Sequence, residues 1–265
     1  AIATQWFSVR LASRPTPEWQ NRPPHGCEVV CSVRHTSKLR RGMLRGNRFA
    51  IVVRAAQGDW KTLAARLARL RDGGVPNYFG EQRFGRQGDN VEHALAMFAG
   101  RAKVRKRHLR GLYLSAARAW LFNQVLAERV SSDNWDSALE GDAMNLDGSR
   151  SFFALTAIDE TILARIAELD IHPTGPLWGR GELPCTGVAC DRELAVARRH
   201  PELCEGLENA GLRQERRALR VRVGELDWQL DPGDGQLRLA FTLQAGSYAT
   251  VVLRELVDYE DNSAS

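Results

Sequence analysis

The chain has 265 residues, 43% hydrophobic and 26% charged, the usage of a globular protein with a core of its own. Lysine plus arginine (37) exceeds aspartate plus glutamate (32) by 37 − 32 = 5, which is compatible with a polyanionic partner without requiring one. No apolar run approaches the roughly 18 residues of a membrane-spanning helix, so such a span is excluded. The five cysteines (Cys27, Cys31, Cys185, Cys190, Cys204) are odd in number and lack disulfide or zinc spacing. They read as free thiols in a reducing cytoplasm.

Residues 1–7 show no signal-peptide pattern and read as a strand already inside a fold, so the N-terminus is expected to be a cut. A Pro/Arg-rich loop at 14–24 leads to a predicted strand at 28–33. The basic group Lys38, Arg40, Arg41 and Arg45 precedes a Gly46-Asn47 turn and a second strand at 49–53. Asp59 is placed to cap a helix carrying Leu63, Leu67 and Leu70 on one face, stopped by Gly73-Gly74.

Beyond Gly74 helices are predicted at 90–99, 112–130, 159–169 and 191–209, with a long Pro/Gly loop from Pro173 to Pro184. Arg101, Lys103, Arg105, Lys106, Arg107 and Arg110 form a dense basic run, readable as a solvated face or as a phosphate-tracking surface. Period-two alternation returns at 219–223 and 237–243 around the turn 231–235, and Gly246-Ser247 opens a short helix. The expected fold is α+β: a mixed, mainly antiparallel sheet domain (1–73 and 223–265) interrupted by a largely helical insertion (74–222).

Residues 74–85 read GVPNYFGEQRFG, too rich in glycine and aromatics for a regular element. This must be a shaped loop, whose aromatics suit either packing between two domains or contact with a ligand. The segment resembles the signature of the TruD family of pseudouridine synthases. Three further segments resemble family motifs in the same order: Gly46-Asn47-Arg48-Phe49; Ser115-Ala116-Ala117-Arg118 with Leu121-Phe122-Asn123 and Arg129; and Ala245 to Thr250 with Arg254-Glu255-Leu256. Residues 1–5 are similar to the end of the family's catalytic segment, K-D-[KR]-x-A-x-T-x-Q, with Ala1 and Gln5 as its alanine and glutamine and Ala3 in place of threonine.

The resemblance implies a tRNA pseudouridine synthase acting on uridine 13 of the D arm, without cofactor or metal. Its catalytic aspartate would lie upstream of Ala1 and act on the ribose as nucleophile at C1′ or base at C2′. Phe49 would stack on the extruded base and Asn47 would orient the aspartate or the ribose. Taken alone, Phe49 also reads as a core aromatic of its strand. Gln5, Asn77, Tyr78, Phe79, Gln82, Arg83, Phe84, Arg118 and Arg254 are the expected substrate-binding residues, with Arg129 a further phosphate candidate. The expected partner is tRNA, the protein a cytoplasmic monomer, and the 265 residues alone inactive. The rival reading is a non-catalytic RNA-binding or chaperone protein with the same clamp.

Overall fold

The computed structural model describes residues 3–12, 15–21, 23, 25–40 and 44–259. Ala1 of the catalytic-segment match, and Arg41 of the first basic group, lie outside them. Contacts divide the chain into two units, residues 1–45 with 261–265, and residues 46–260. In the first, the described residues form no helix or strand, and local ties such as Arg34 Nε to Thr16 Oγ1 (3.1 Å) and Leu39 N to Ser8 Oγ (3.2 Å) shape the chain. The strand expected at 28–33 is absent: alternation makes a strand only where another backbone completes the ladder, and among the described residues none pairs with it.

The second unit opens with β1 (Gly46–Val53), whose Phe49, Ile51 and Val53 share one face and pack on the core. Asp59 caps α1 (Trp60–Gly73), accepting from Lys61 N at 3.0 Å. Leu67 and Leu70 bury its inner face, and Gly74, at φ 74°, takes the left-handed turn that ends it. After β2 (Val75–Pro76) and a 3-10 turn (Glu81–Phe84) come α2 (Asn90–Phe98) and the 25-residue α3 (Arg107–Ser131). Ala116, Ala117, Ala119, Leu121, Phe122, Val125 and Leu126 are all buried, so α3 is sheathed by other elements along its second half.

Next follow β3 (Ala143–Leu146), β4 (Phe152–Ala154), α4 (Glu160–Ala167), β5 (Ile171–Leu177), α5 (Gly187–Arg199), α6 (Pro201–Asn209), β6 (Glu215–Ala218) and β7 (Arg220–Val221). The hairpin β8 (Gly224–Asp231) and β9 (Gln236–Gln244) and the short α7 (Ala249–Arg254) complete the chain. Every strand pair is antiparallel, in sheets ordered β1-β9-β8, β2-β7 and β4-β3-β5-β6.

Two expectations are corrected. The predicted loop from Pro173 begins as strand: β5 lies between β3 and β6, with Pro173 opposite Met144 and Pro176 opposite Arg216. The Pro173 carbonyl still accepts from Leu219 N at 2.8 Å, so the missing N–H does not exclude the residue from a paired strand. The single helix expected at 191–209 is two, because Pro201 cannot donate into a continuing helix but suits the first turn of a new one.

One core joins β1, α1, β2, β7, β8, β9 and α7 around Leu67, Leu239, Phe241 and Val252. A second joins α2, α3, α5 and α6, and a smaller one lies between α4 and the β3–β5 strands. Phe122, Leu126 and Leu219 form a fourth, against which Tyr78 and Phe79 pack.

Candidate active site

The signature loop is held by polar contacts at nearly every turn. Asn77 continues the β2–β7 pairing, its N–H donating to Leu219 O at 2.7 Å and its Nδ2 to Ala218 O at 2.8 Å. Arg217 donates through Nη2 to Asn77 Oδ1 at 2.6 Å. Asn123 on α3 grips the Phe79 backbone at both ends: Phe79 N donates to Oδ1 at 2.9 Å, and Nδ2 donates to Phe79 O at 3.1 Å. The Phe79 ring lies edge-on to Phe122 (5.5 Å) and Tyr248 (6.2 Å), with the Arg217 guanidinium 4.0 Å from its centre. Arg83 donates to Tyr248 Oη at 3.0 Å and Ser115 Oγ at 2.9 Å. A Cβ on Gly80 would come within 2.9 Å of the Tyr248 ring, so the loop needs glycine to lie this close to the segment before α7.

The segment before α7 also reaches the sheet. Gln244 at the end of β9 pairs with Gly46 at the start of β1, and Ser247 N returns to Gln244 O at 3.1 Å. The β9–α7 turn and the Gly46-Asn47 segment therefore share one end of the sheet. Strand alternation puts Asn47 on the face that carries Phe49, Ile51 and Val53, but Asn47 is exposed where that face leaves the core. Phe49 is half-buried, tilted 31° against Phe241 at 5.4 Å.

At the same end, Gln244 Nε2 donates to Asp147 Oδ1 at 2.7 Å. His172, fully buried, lies 3.0 Å from Asp147 through Nε2, and its Nδ1 accepts from Arg220 Nε at 3.0 Å. An arginine can only donate, so Nδ1 is bare and Nε2 carries the proton towards Asp147. Burial alone would raise the Asp147 carboxyl, but its bond to His172 and the charges nearby hold it below the usual carboxylate range. Arg220 also donates to Ile166 O (2.7 Å) and Ile171 O (3.0 Å), fixing the histidine from behind.

The expected binding residues divide. Asn77, Phe79 and Arg83 meet in one network, and Tyr78 packs beside them, its phenol pushed up by burial and the Glu255 charge. Phe84 is half-buried, Gln82 is exposed, and Gln5 is exposed in the first unit. Arg118 turns inward to Leu177 O (2.6 Å), Arg213 O (2.7 Å) and Glu215 (3.1 Å), tying α3 to the strands. Arg129 is buried in a two-pronged contact with Asp142, so its reading as a phosphate-tracking residue is corrected: its fork is occupied inside the fold. Arg254 pairs with Glu81. All six side chains of the basic run around the α3 start are exposed, and none has an ion pair among the described residues. Sequence reasoning missed Asp147, His172, Gln244, Arg217 and Arg220. Arg217 stands in a charged stretch, Glu215-Arg216-Arg217, that carries no local sign of burial.

The family model of "tRNA pseudouridine synthase D (TruD)" matches residues 1–104 and 86–256. The chain belongs to the tRNA pseudouridine synthase D (TruD) family. It is 48% identical over 257 residues to tRNA pseudouridine synthase D of Nitrosococcus oceani, covering 97% of this chain and 72% of that protein. To the protein of the same name from Methylococcus capsulatus it is 46% identical, covering 98% and 73%. The crystal structure of the putative tRNA pseudouridine synthase D from Methanosarcina mazei shares the fold, with a TM-score of 0.58 at 23% identity, covering 81% of this chain and 69% of that one. The TruD-like segments are distant in sequence yet adjoin in space. The 74–85 loop touches Ser115 and Asn123 on α3 and Tyr248 before α7, and the last of these segments follows directly on the partner of Gly46.

Proposed function

We propose that this protein converts uridine 13 in the D arm of tRNA to pseudouridine, through an aspartate that precedes Ala1 in the whole protein. The observation that carries the reading is the convergence of the Gly46–Phe49 segment, the 74–85 loop and the β9–α7 turn around one end of the sheet, in a TruD-family chain. In the reaction the N1–C1′ bond breaks, the base turns, and a C5–C1′ bond forms. C5 loses its proton and N1 gains one, so atoms balance without oxidant, energy source or cofactor. The aspartate acts on the ribose, Asn47 orients it or the sugar, and the open side of Phe49 meets the extruded base.

Residues 1–73 and 223–265 form the catalytic domain in this reading, and 74–222 the insertion. The core beneath β1 and β9 draws almost wholly on the first two stretches, and those around α3 and α4 mainly on the third. Asn77, Tyr78, Phe79, Arg83 and Phe84 shape the cleft floor, with Gln82, Arg118 and Arg254 at its margins, and Gln5 is a further substrate contact in this reading. The protein acts as a cytoplasmic monomer, and the exposed basic run follows tRNA phosphates. The 265 residues alone bind tRNA without converting it.

Because C5 must give up its hydrogen, the whole protein should release tritium from tRNA carrying 5-tritiated uridine. Binding without release would support the rival RNA-binding reading. Phe49→Leu keeps an apolar side chain on Phe241 but loses the flat ring, so turnover should fall much more than tRNA affinity. An equal fall in both would return Phe49 to a packing role.

A further inference from the structure

Buried arginines elsewhere in this fold are matched by acids. Arg129 meets Asp142 and Arg216 meets Glu193, each through two nitrogens, and Arg220 bonds the histidine that contacts Asp147. Arg217 differs. Its Nε and Nη2 are held by neutral oxygens alone: Asn77 Oδ1 at 2.6 Å, Asn77 O at 3.3 Å and Gly246 O at 3.1 Å. Among the described residues nothing bonds Nη1, so this one terminal nitrogen, with its two N–H donors, is left over. Its charged neighbour is Arg83, a second cation against the Phe79 ring.

The space on the Gly246 side of Nη1 is open. A Cβ built on Gly246 would lie 3.8 Å from Nη1 and within 4 Å of no other atom beyond its chain neighbours. Burial pushes the Arg217 guanidinium down to about 10, Tyr248 acts the other way, and the Arg83 charge adds to the fall. The group stays cationic at neutral pH, with its lost hydration offset only by carbonyls and a ring. A clamp for Asn77 and Gly246 accounts for Nε and Nη2 but leaves Nη1 without a task.

We propose that the free Nη1 of Arg217, beside the Gly246-Ser247 turn, receives one phosphate group of the RNA backbone. A phosphodiester offers an anionic oxygen to which Nη1 can donate a charge-assisted hydrogen bond, and it supplies the counter-charge that the fold lacks. The turn follows Gln244, the partner of Gly46. A phosphate held there anchors the nucleotide chain at the strand end that carries Asn47. The inference rests on the tRNA reading above and assigns one contact within it.

The test uses the whole protein and tRNA affinity measured across salt concentrations. Ala245 is the exposed residue before Gly246, whose added Cβ would lie 3.8 Å from Nη1, so Ala245→Glu sets a carboxylate beside this turn without removing any bond of the network, and Ala245→Gln controls for bulk. Losing one phosphate contact should reduce the slope of log affinity against log salt by about 1. Ala245→Glu and Arg217→Gln should show that loss and Ala245→Gln should not, with Ala245→Glu as heat-stable as the parent. In the Arg217→Gln background, Ala245→Glu should add no further loss. Equal slopes for Ala245→Glu and Ala245→Gln overturn the proposal, as does tRNA binding that ignores salt. Should Arg217→Gln fail to fold, the Ala245 pair decides. Failure of the functional reading shows separately, as absent tritium release, because the slope is read from binding alone.

Discussion

Asn123 closes both backbone groups of Phe79, and its removal has a cost that follows from geometry. Asn123→Ala deletes an acceptor 2.9 Å from Phe79 N and a donor 3.1 Å from Phe79 O. Both bonds are partly buried, so each stranded backbone group costs about 1–2 kcal/mol, the lower part of the range for unsatisfied buried groups. The sum is about 2–4 kcal/mol. With a urea m-value of about 2 kcal/mol per molar, the unfolding midpoint should fall by about 1–2 M. Asn123→Asp keeps the acceptor for Phe79 N but sets a carboxylate against Phe79 O, and it should be destabilised as well. In both variants the Phe79 backbone loses at least one of its two bonds to α3, while Arg83 keeps Ser115, so the loop loosens at Phe79 and kcat/KM should fall even at temperatures where the protein stays folded. Urea titration followed by single-turnover kinetics measures both effects. A midpoint within 0.2 M (about 0.4 kcal/mol) of the parent would refute the claim that this amide pair organises the loop.

Arg129→Met strands Asp142 in the interior, and removing one member of a buried pair should destabilise by about 3–5 kcal/mol, read by urea titration. Loss of RNA affinity at unchanged stability would contradict the structural role given to Arg129. Asp147 titrates below an unfolded aspartate (about 3.9), so its contribution is full above about pH 5 and is lost as pH falls through the lower folded value. Asp147→Asn keeps acceptors for His172 and Gln244 without the charge, and it should flatten the acid limb of a stability-against-pH curve. An acid limb identical to the parent's would refute that assignment.

Local chemistry was legible wherever one segment determines its own conformation. The Asp59 cap, the Gly74 stop, residues 49–53 of β1, the 231–235 turn and the α2, α3 and α4 helices could all be read in the sequence, whereas Gly46-Asn47, expected as a turn, opens the strand because β9 pairs with it. What depended on distant partners was not. Pro173 and Pro176 read as loop because only the neighbouring strands show that their missing N–H groups are tolerable. Residues 28–33 alternate well but find no ladder among the described residues. The site followed the same division. The 74–85 loop was visible by composition, whereas the Asp147–His172–Arg220 chain joins residues 25 and 48 positions apart and left no local pattern.

Mapping pseudouridine at single-nucleotide resolution on unmodified tRNA treated with the whole protein tests the central claim most directly. Pseudouridine is expected at position 13, and it should be lost when the aspartate proposed upstream of Ala1 is replaced by asparagine. Conversion at another position, conversion that survives that replacement, or tRNA that is bound and left unmodified would contradict it.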